Sequence, residues 1–168
     1  MDTHHSLSDA SIQALARDAG RLLEILKLKL VTAESCTGGW LAKAITDLAG
    51  SSAWFERGFV TYSNDAKREL LGVSEETLER YGAVSEQTAR EMSEGALRNS
   101  RGDIAIAVTG VAGPDGGTID KPVGTVWSAW QRRGAQASAA RYCFEGDRER
   151  VRRASVIAAL EGVLRLRE

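Results

Sequence analysis

The sequence predicts an α/β fold: a single domain over residues 1–168, with a mixed β-sheet covered by helices. Three observations point there. Strand-like and helix-like patterns alternate through the N-terminal part of the chain, as expected when helices cross over a sheet. The run Ile104–Val108, "IAIAV", is continuously apolar, which suits a strand buried on both faces. Near the C-terminus, "VGTVWSAWQ" and "AQASAARYCFEG" flank "RRG", the signal of an antiparallel hairpin. With 168 residues, 43% of them hydrophobic, the chain can bury one sizeable core, and disorder is excluded.

The elements follow in order. Residues 1–9 read as a flexible terminus. Ile12, Leu15, Ala16, Ala19, Leu22, Leu23 and Leu26 then recur at helical spacing. "KLVTAES" reads as a short strand, and Trp40, Leu41, Ala44, Ile45 and Leu48 as the apolar face of a second helix ending near Gly50. "WFERGFVTYS" is strand-like, with Tyr62 at its end. "NDAKRELLG" is a short helix capped by Asn64 and closed by Gly72. Ser74 caps "SEETLERYG" alone, because Thr77 stands where a capping box needs an acid or amide. Ser85 caps "EQTAREMSEGALRNS". Asp147 caps the last helix, whose inner side carries Val151, Ala154, Ile157, Ala158, Leu160, Val163 and Leu164. Trp127 and Trp130 fall on opposite faces of a regular strand. Trp40, Trp54 and Trp130 offer surface for an interface between copies, so a homo-oligomer is expected.

Composition narrows the function. A net charge of -1, with both signs mixed along the chain, favours neither nucleic acid nor an anionic membrane as partner. No apolar run approaches the roughly 20 residues that span a bilayer, and "MDTHHSLSD" has no signal-peptide character, so a cytoplasmic protein is expected. Cys36 and Cys143 are the only cysteines and are expected to be reduced thiols. The only histidines, His4 and His5, lie in the flexible terminus, and no metal site is expected. Without an imidazole in the body of the chain, neither a Ser-His-Asp nor a Cys-His arrangement can form. A nucleophile here must take lysine, tyrosine or a carboxylate as its base.

Three short segments fall where strands end, and ligands in α/β sheets bind beyond the carboxyl ends of strands. In "ESCTGG", Ser35 and Cys36 are adjacent candidate nucleophiles, with Thr37 a possible cap. Gly38 and Gly39 let the backbone approach a ligand, and the helix start behind them offers N–H groups to an anion. In "TYSNDAK", an Asn64 cap puts Lys67 near the third helical residue. There the dipole opposes its charge and favours a neutral amine able to act as a base. A solvated lysine fits the same position. In "VTGVAGPDGG", four glycines within eight residues suit a hairpin, an anion cradle or a substrate-covering loop, and match neither phosphate-loop nor dinucleotide fingerprints. The run Arg148, Arg150, Arg152, Arg153 reads as a solvated helix face, except that Arg148 in the first turn can serve an anionic ligand.

"AESCTGG", "TYSNDAK" and "AVTGVAGPDGG...KPVGTVW" closely resemble the signature stretches of the CinA C-terminal domain family, and the likeness runs from about residue 10 to 165. Stand-alone members of that family are nicotinamide-nucleotide amidohydrolases. The resemblance implies hydrolysis of the carboxamide of nicotinamide mononucleotide to nicotinate mononucleotide and ammonia, without metal or cofactor. It implies Ser35 as nucleophile, completed by Lys67 and Tyr62, with Tyr62 a possible link between them. Thr109 matches a family active-site threonine, and Arg148 falls near a family arginine. The oxyanion is expected at the N–H groups of Cys36 to Gly39 or at the Thr109–Gly110 turn. The substrate phosphate is expected at the Gly38–Gly39 helix start, the glycine loop with Gly110 and Gly113, or Arg148. Thr37 and Asn64 complete the expected substrate-binding set.

Overall fold

The structure, a computed structural model, describes residues 7–167. His4, His5 and most of the expected flexible terminus lie outside the described residues. Residues 7–9 depart from that expectation. Ser8 caps the first helix, α1 (Asp9–Leu26), by accepting the Ser11 N–H, and Leu7 packs against the core.

Five strands form one mixed sheet: β1 (Leu30–Glu34), β2 (Phe55–Val60), β3 (Ile104–Gly110), β4 (Thr125–Arg132) and β5 (Ser138–Cys143). Their spatial order is β2-β1-β3-β4-β5. β1 pairs in parallel with both β2 and β3, and β4 and β5 continue antiparallel as the expected hairpin. The other helices are α2 (Trp40–Thr46), α3 (Asn64–Leu71), α4 (Glu75–Tyr81), α5 (Glu86–Arg98) and α6 (Arg148–Leu164). No helix among the described residues is long and apolar enough to cross a membrane.

The alternation of β3 explains the two layers of helices. Ile104, Ile106 and Val108 join one core with residues of α1, α2 and α6. Ala105 and Ala107 join a second core with residues of α3 and α5. Small side chains on the second face let helices lie close: a Cβ on Gly95 would stand 1.9 Å from the Leu71 carbonyl. Trp127 and Trp130 fall on opposite faces, as expected, each against a different core. Trp130 is 5% exposed, donates from Nε1 to the Ala159 carbonyl at 2.9 Å and covers Gly162. Trp54 is likewise buried against Gly20, so neither tryptophan is available to an interface between copies.

Two caps differ from the sequence reading. Ser63, still extended at φ -94° and ψ 164°, caps α3 in place of Asn64, so Lys67 becomes its fourth residue. Ser74 does cap α4, but the reciprocal bond of a capping box is present after all. Glu91 of α5 accepts the Ser74 N–H at 2.7 Å, so a tertiary neighbour supplies the acid missing from the local sequence.

Register positions the site. Glu34 is the partner of Val60 on one side and Val108 on the other. β1 and β2 therefore end level, β3 runs on to Gly110, and the residues at these strand ends meet at one end of the sheet.

Candidate active site

Ser35 leaves β1 in a tight turn. Its N–H donates to the Val108 carbonyl at 2.9 Å, and the Gly38 N–H closes back onto the Ser35 carbonyl at 3.0 Å. Gly38 and Gly39 have φ of 59° and 96°, the left-handed region in which a side chain is strained. The two glycines thus allow the chain to double back into α2 at this spacing.

Lys67 reaches Ser35 from α3. It is 1% exposed, and its Nζ lies 2.9 Å from both Ser35 Oγ and the Thr61 carbonyl. Burial lowers its pKa from 10.5 to about 8. About a tenth of such amines are neutral at pH 7. The cause is desolvation by burial.

Cys36 is the weaker candidate. Burial, with the Glu34 charge adding to it, pushes its thiol up to about 12. Only about one molecule in 10⁵ then carries a thiolate at neutral pH. Its side chain packs in the core with α1, α2 and α6 residues, whereas the Ser35 hydroxyl meets the amine.

A cleft of about 270 Å³ opens over Ser35 and Lys67, lined by Cys36, Tyr62, Asn64, Thr109, Gly110 and Arg148 together with Ala83, Val84 and Ala112. Thr109 Oγ1 donates to the Ala83 carbonyl at 2.8 Å, fixing the segment after α4 as a wall. Arg148 bridges the mouth, donating to the Tyr62 hydroxyl at 2.9 Å and to the Gly113 carbonyl at 2.7 Å. Tyr62 is 62% exposed and does not link Lys67 to Ser35, which touch directly.

The family model for the CinA C-terminal domain matches residues 12–166. The chain belongs to that family. It is 52% identical to the nicotinamide-nucleotide amidohydrolase PncC of Escherichia coli over 155 residues, 92% of this chain and 94% of that protein. It is also 52% identical to the protein of the same name from Pseudomonas putida, over 92% and 96% of the two chains. Among solved structures, the competence/damage inducible protein CihA from Agrobacterium tumefaciens superposes with a TM-score of 0.91 at 48% identity. That match covers 94% of this chain and 96% of that one. A CinA superfamily protein from Escherichia coli gives 0.90 at 42% identity, covering 96% and 94%.

Within this CinA-type fold, Ser35, Tyr62, Asn64, Lys67, Thr109, Gly110 and Arg148 line one cleft. Gly113 stands behind Arg148, which takes its carbonyl. Thr37, Gly38 and Gly39 do not line that cleft: Thr37 is fully buried, and the glycines face a larger cavity of about 660 Å³ with Trp40, Arg152 and Arg153. No serine, threonine or cysteine lines that larger cavity, whereas Ser35 and Lys67 meet in the smaller cleft.

The α2 start is also closed to an outside anion. Glu34, fully buried at the end of β1, accepts the Leu41 and Ala42 N–H groups at 2.8 and 3.1 Å. Burial raises its pKa, opposed by those same bonds. The sequence reading missed Glu34; an acid at the last position of a fully buried strand was the available signal. It also put Arg152 and Arg153 on a solvated face, whereas both are half-buried and lie 5.4 and 5.0 Å from the Trp40 ring centre.

Proposed function

We propose that the chain is a nicotinamide-nucleotide amidohydrolase acting on nicotinamide mononucleotide through Ser35, with Lys67 as general base. The contact between Lys67 Nζ and Ser35 Oγ carries the reading. Its support from relatives is the name that proteins 52% identical over almost the whole chain bear.

The neutral Lys67 amine takes the Ser35 proton as Oγ attacks the carboxamide carbon. The tetrahedral oxyanion is held by backbone donors. The Ser35 N–H is engaged by the Val108 carbonyl and the Gly38 N–H by the Ser35 carbonyl, so the Cys36 and Thr37 amides are the candidates. Lys67 then returns the proton to the amide nitrogen, the C–N bond breaks and ammonia leaves. Water adds to the acyl carbon, losing its proton to Lys67. The C–Oγ bond breaks, Ser35 recovers its proton and nicotinate mononucleotide departs.

The cleft is smaller than the roughly 300–1,000 Å³ usual for a whole small ligand. It suits the pyridine carboxamide, with ribose and phosphate outside. Because Glu34 occupies the α2 start, the phosphate belongs at the mouth, where Arg148 is the cation. Ammonia release from nicotinamide mononucleotide, nicotinamide and NAD tests the assignment. Release from the mononucleotide alone is expected; release only from another amide would move the substrate, and binding without release would make the chain a binding module.

A further inference from the structure

We infer that Arg152 is a positioning residue for this reaction, holding the peptide planes of the nucleophile turn from the side of the larger cavity. The inference rests on the amidohydrolase reading. Arg152 Nε donates to the Cys36 carbonyl and Nη2 to the Thr37 carbonyl, each at 3.1 Å. In a trans peptide the carbonyl and the following N–H point in opposite directions. Fixing the Cys36 carbonyl therefore aims the Thr37 N–H away from Arg152, and fixing the Thr37 carbonyl does the same for Gly38. The Gly38 N–H is used on the Ser35 carbonyl, which closes the turn. The Thr37 N–H, directed to the same side, is left to stabilise developing negative charge next to Ser35. A cation against both carbonyls also polarises the two amides and strengthens their N–H groups as donors.

Neighbouring Arg153 shows what a purely structural arginine looks like here. It pairs with Asp9 and with Glu149. Among the described residues no carboxylate lies within ion-pair distance of Arg152. Its charge faces the turn and the Trp40 ring instead. The site is also reachable, because Arg152 and Trp40 line the open cavity of about 660 Å³.

The test compares Arg152→Ala, Arg152→Lys and Arg153→Met with the unaltered enzyme by ammonia release, pH profile and thermal unfolding. Arg152→Ala is expected to lower kcat about 10- to 100-fold with KM within about threefold, less than loss of an oxyanion donor outright. The pH limb set by Lys67 should stay in place, Arg152→Lys should recover part of the rate, and millimolar guanidinium should rescue Arg152→Ala. Arg153→Met should lose stability and keep kcat. A folded Arg152→Ala enzyme with unchanged kcat, or a loss confined to KM, would overturn the inference. If the unaltered protein releases no ammonia, the substrate reading fails separately. The rate at which phenylmethanesulfonyl fluoride sulfonylates Ser35 then decides the positioning role. Slower labelling in Arg152→Ala than in Arg153→Met supports it, and equal rates overturn it.

Discussion

Lys67 Nζ and Ser35 Oγ lie 2.9 Å apart, 32 residues apart in sequence, with the lysine 1% and the serine 7% exposed. The same burial that removes the lysine from water lowers its pKa to about 8 and makes it a usable base near neutrality.

Ser35→Ala, with Cys36 intact, is expected to lower kcat by about 10³-fold or more, as removal of a nucleophile does. Cys36→Ala should stay within about fivefold, because the thiol is buried and held protonated. Steady-state ammonia release reads both, and substantial activity in the serine variant would exclude Ser35 as the nucleophile.

The rate should follow the neutral fraction of Lys67, so kcat should rise with pH through about 8 and then level off. Lys67→Met should abolish that limb along with turnover. Stability carries the same signature. The unfolded lysine holds its proton to about 10.5 and the folded one only to about 8, so the unfolded state binds more protons in that window. The native state therefore gains stability as pH rises from about 8 to 10.5, by up to about 3 kcal/mol. Thermal unfolding should show the native enzyme gaining on Lys67→Met across that range. A parallel pair of curves would contradict the lowered pKa.

Tyr62→Phe removes a hydroxyl bonded to Arg148 rather than to the Ser35–Lys67 pair. The expected result is a raised KM with kcat within about fivefold, and Arg148→Met should raise KM further. A fall in kcat like that of Lys67→Met would place the tyrosine in proton transfer.

Glu34→Ala strands one buried and one part-buried N–H group at the start of α2, at a cost of about 2 kcal/mol or more. For a chain of this length that is a fall of at least about 4 °C in Tm, readable by calorimetry. Because Glu34 directly precedes Ser35, kcat should fall as well. An unchanged Tm would show that other groups satisfy α2.

Local signals were legible wherever a residue acts on its immediate neighbours. Ser74, Ser85 and Asp147 cap the helices they were expected to cap, since each hydroxyl or carboxylate reaches a backbone N–H three residues on. The apolar run of β3 and the β4–β5 hairpin follow from burial and strand periodicity. Asn64 failed as a cap because two adjacent residues were suited to the role, and sequence does not rank them when the chain enters extended at Ser63.

The sequence by itself determined the α/β architecture, the lack of a histidine anywhere after His5 and the candidacy of Ser35 and Lys67, because each rests on residue type and short-range spacing. The tertiary structure alone decided that the lysine meets the serine directly, that Glu34 fills the helix start left open for a phosphate, and that Arg152 grips the turn from across 115 residues. Those outcomes depend on which strand ends come level and which helix packs behind them, a matter of long-range register that no local pattern encodes.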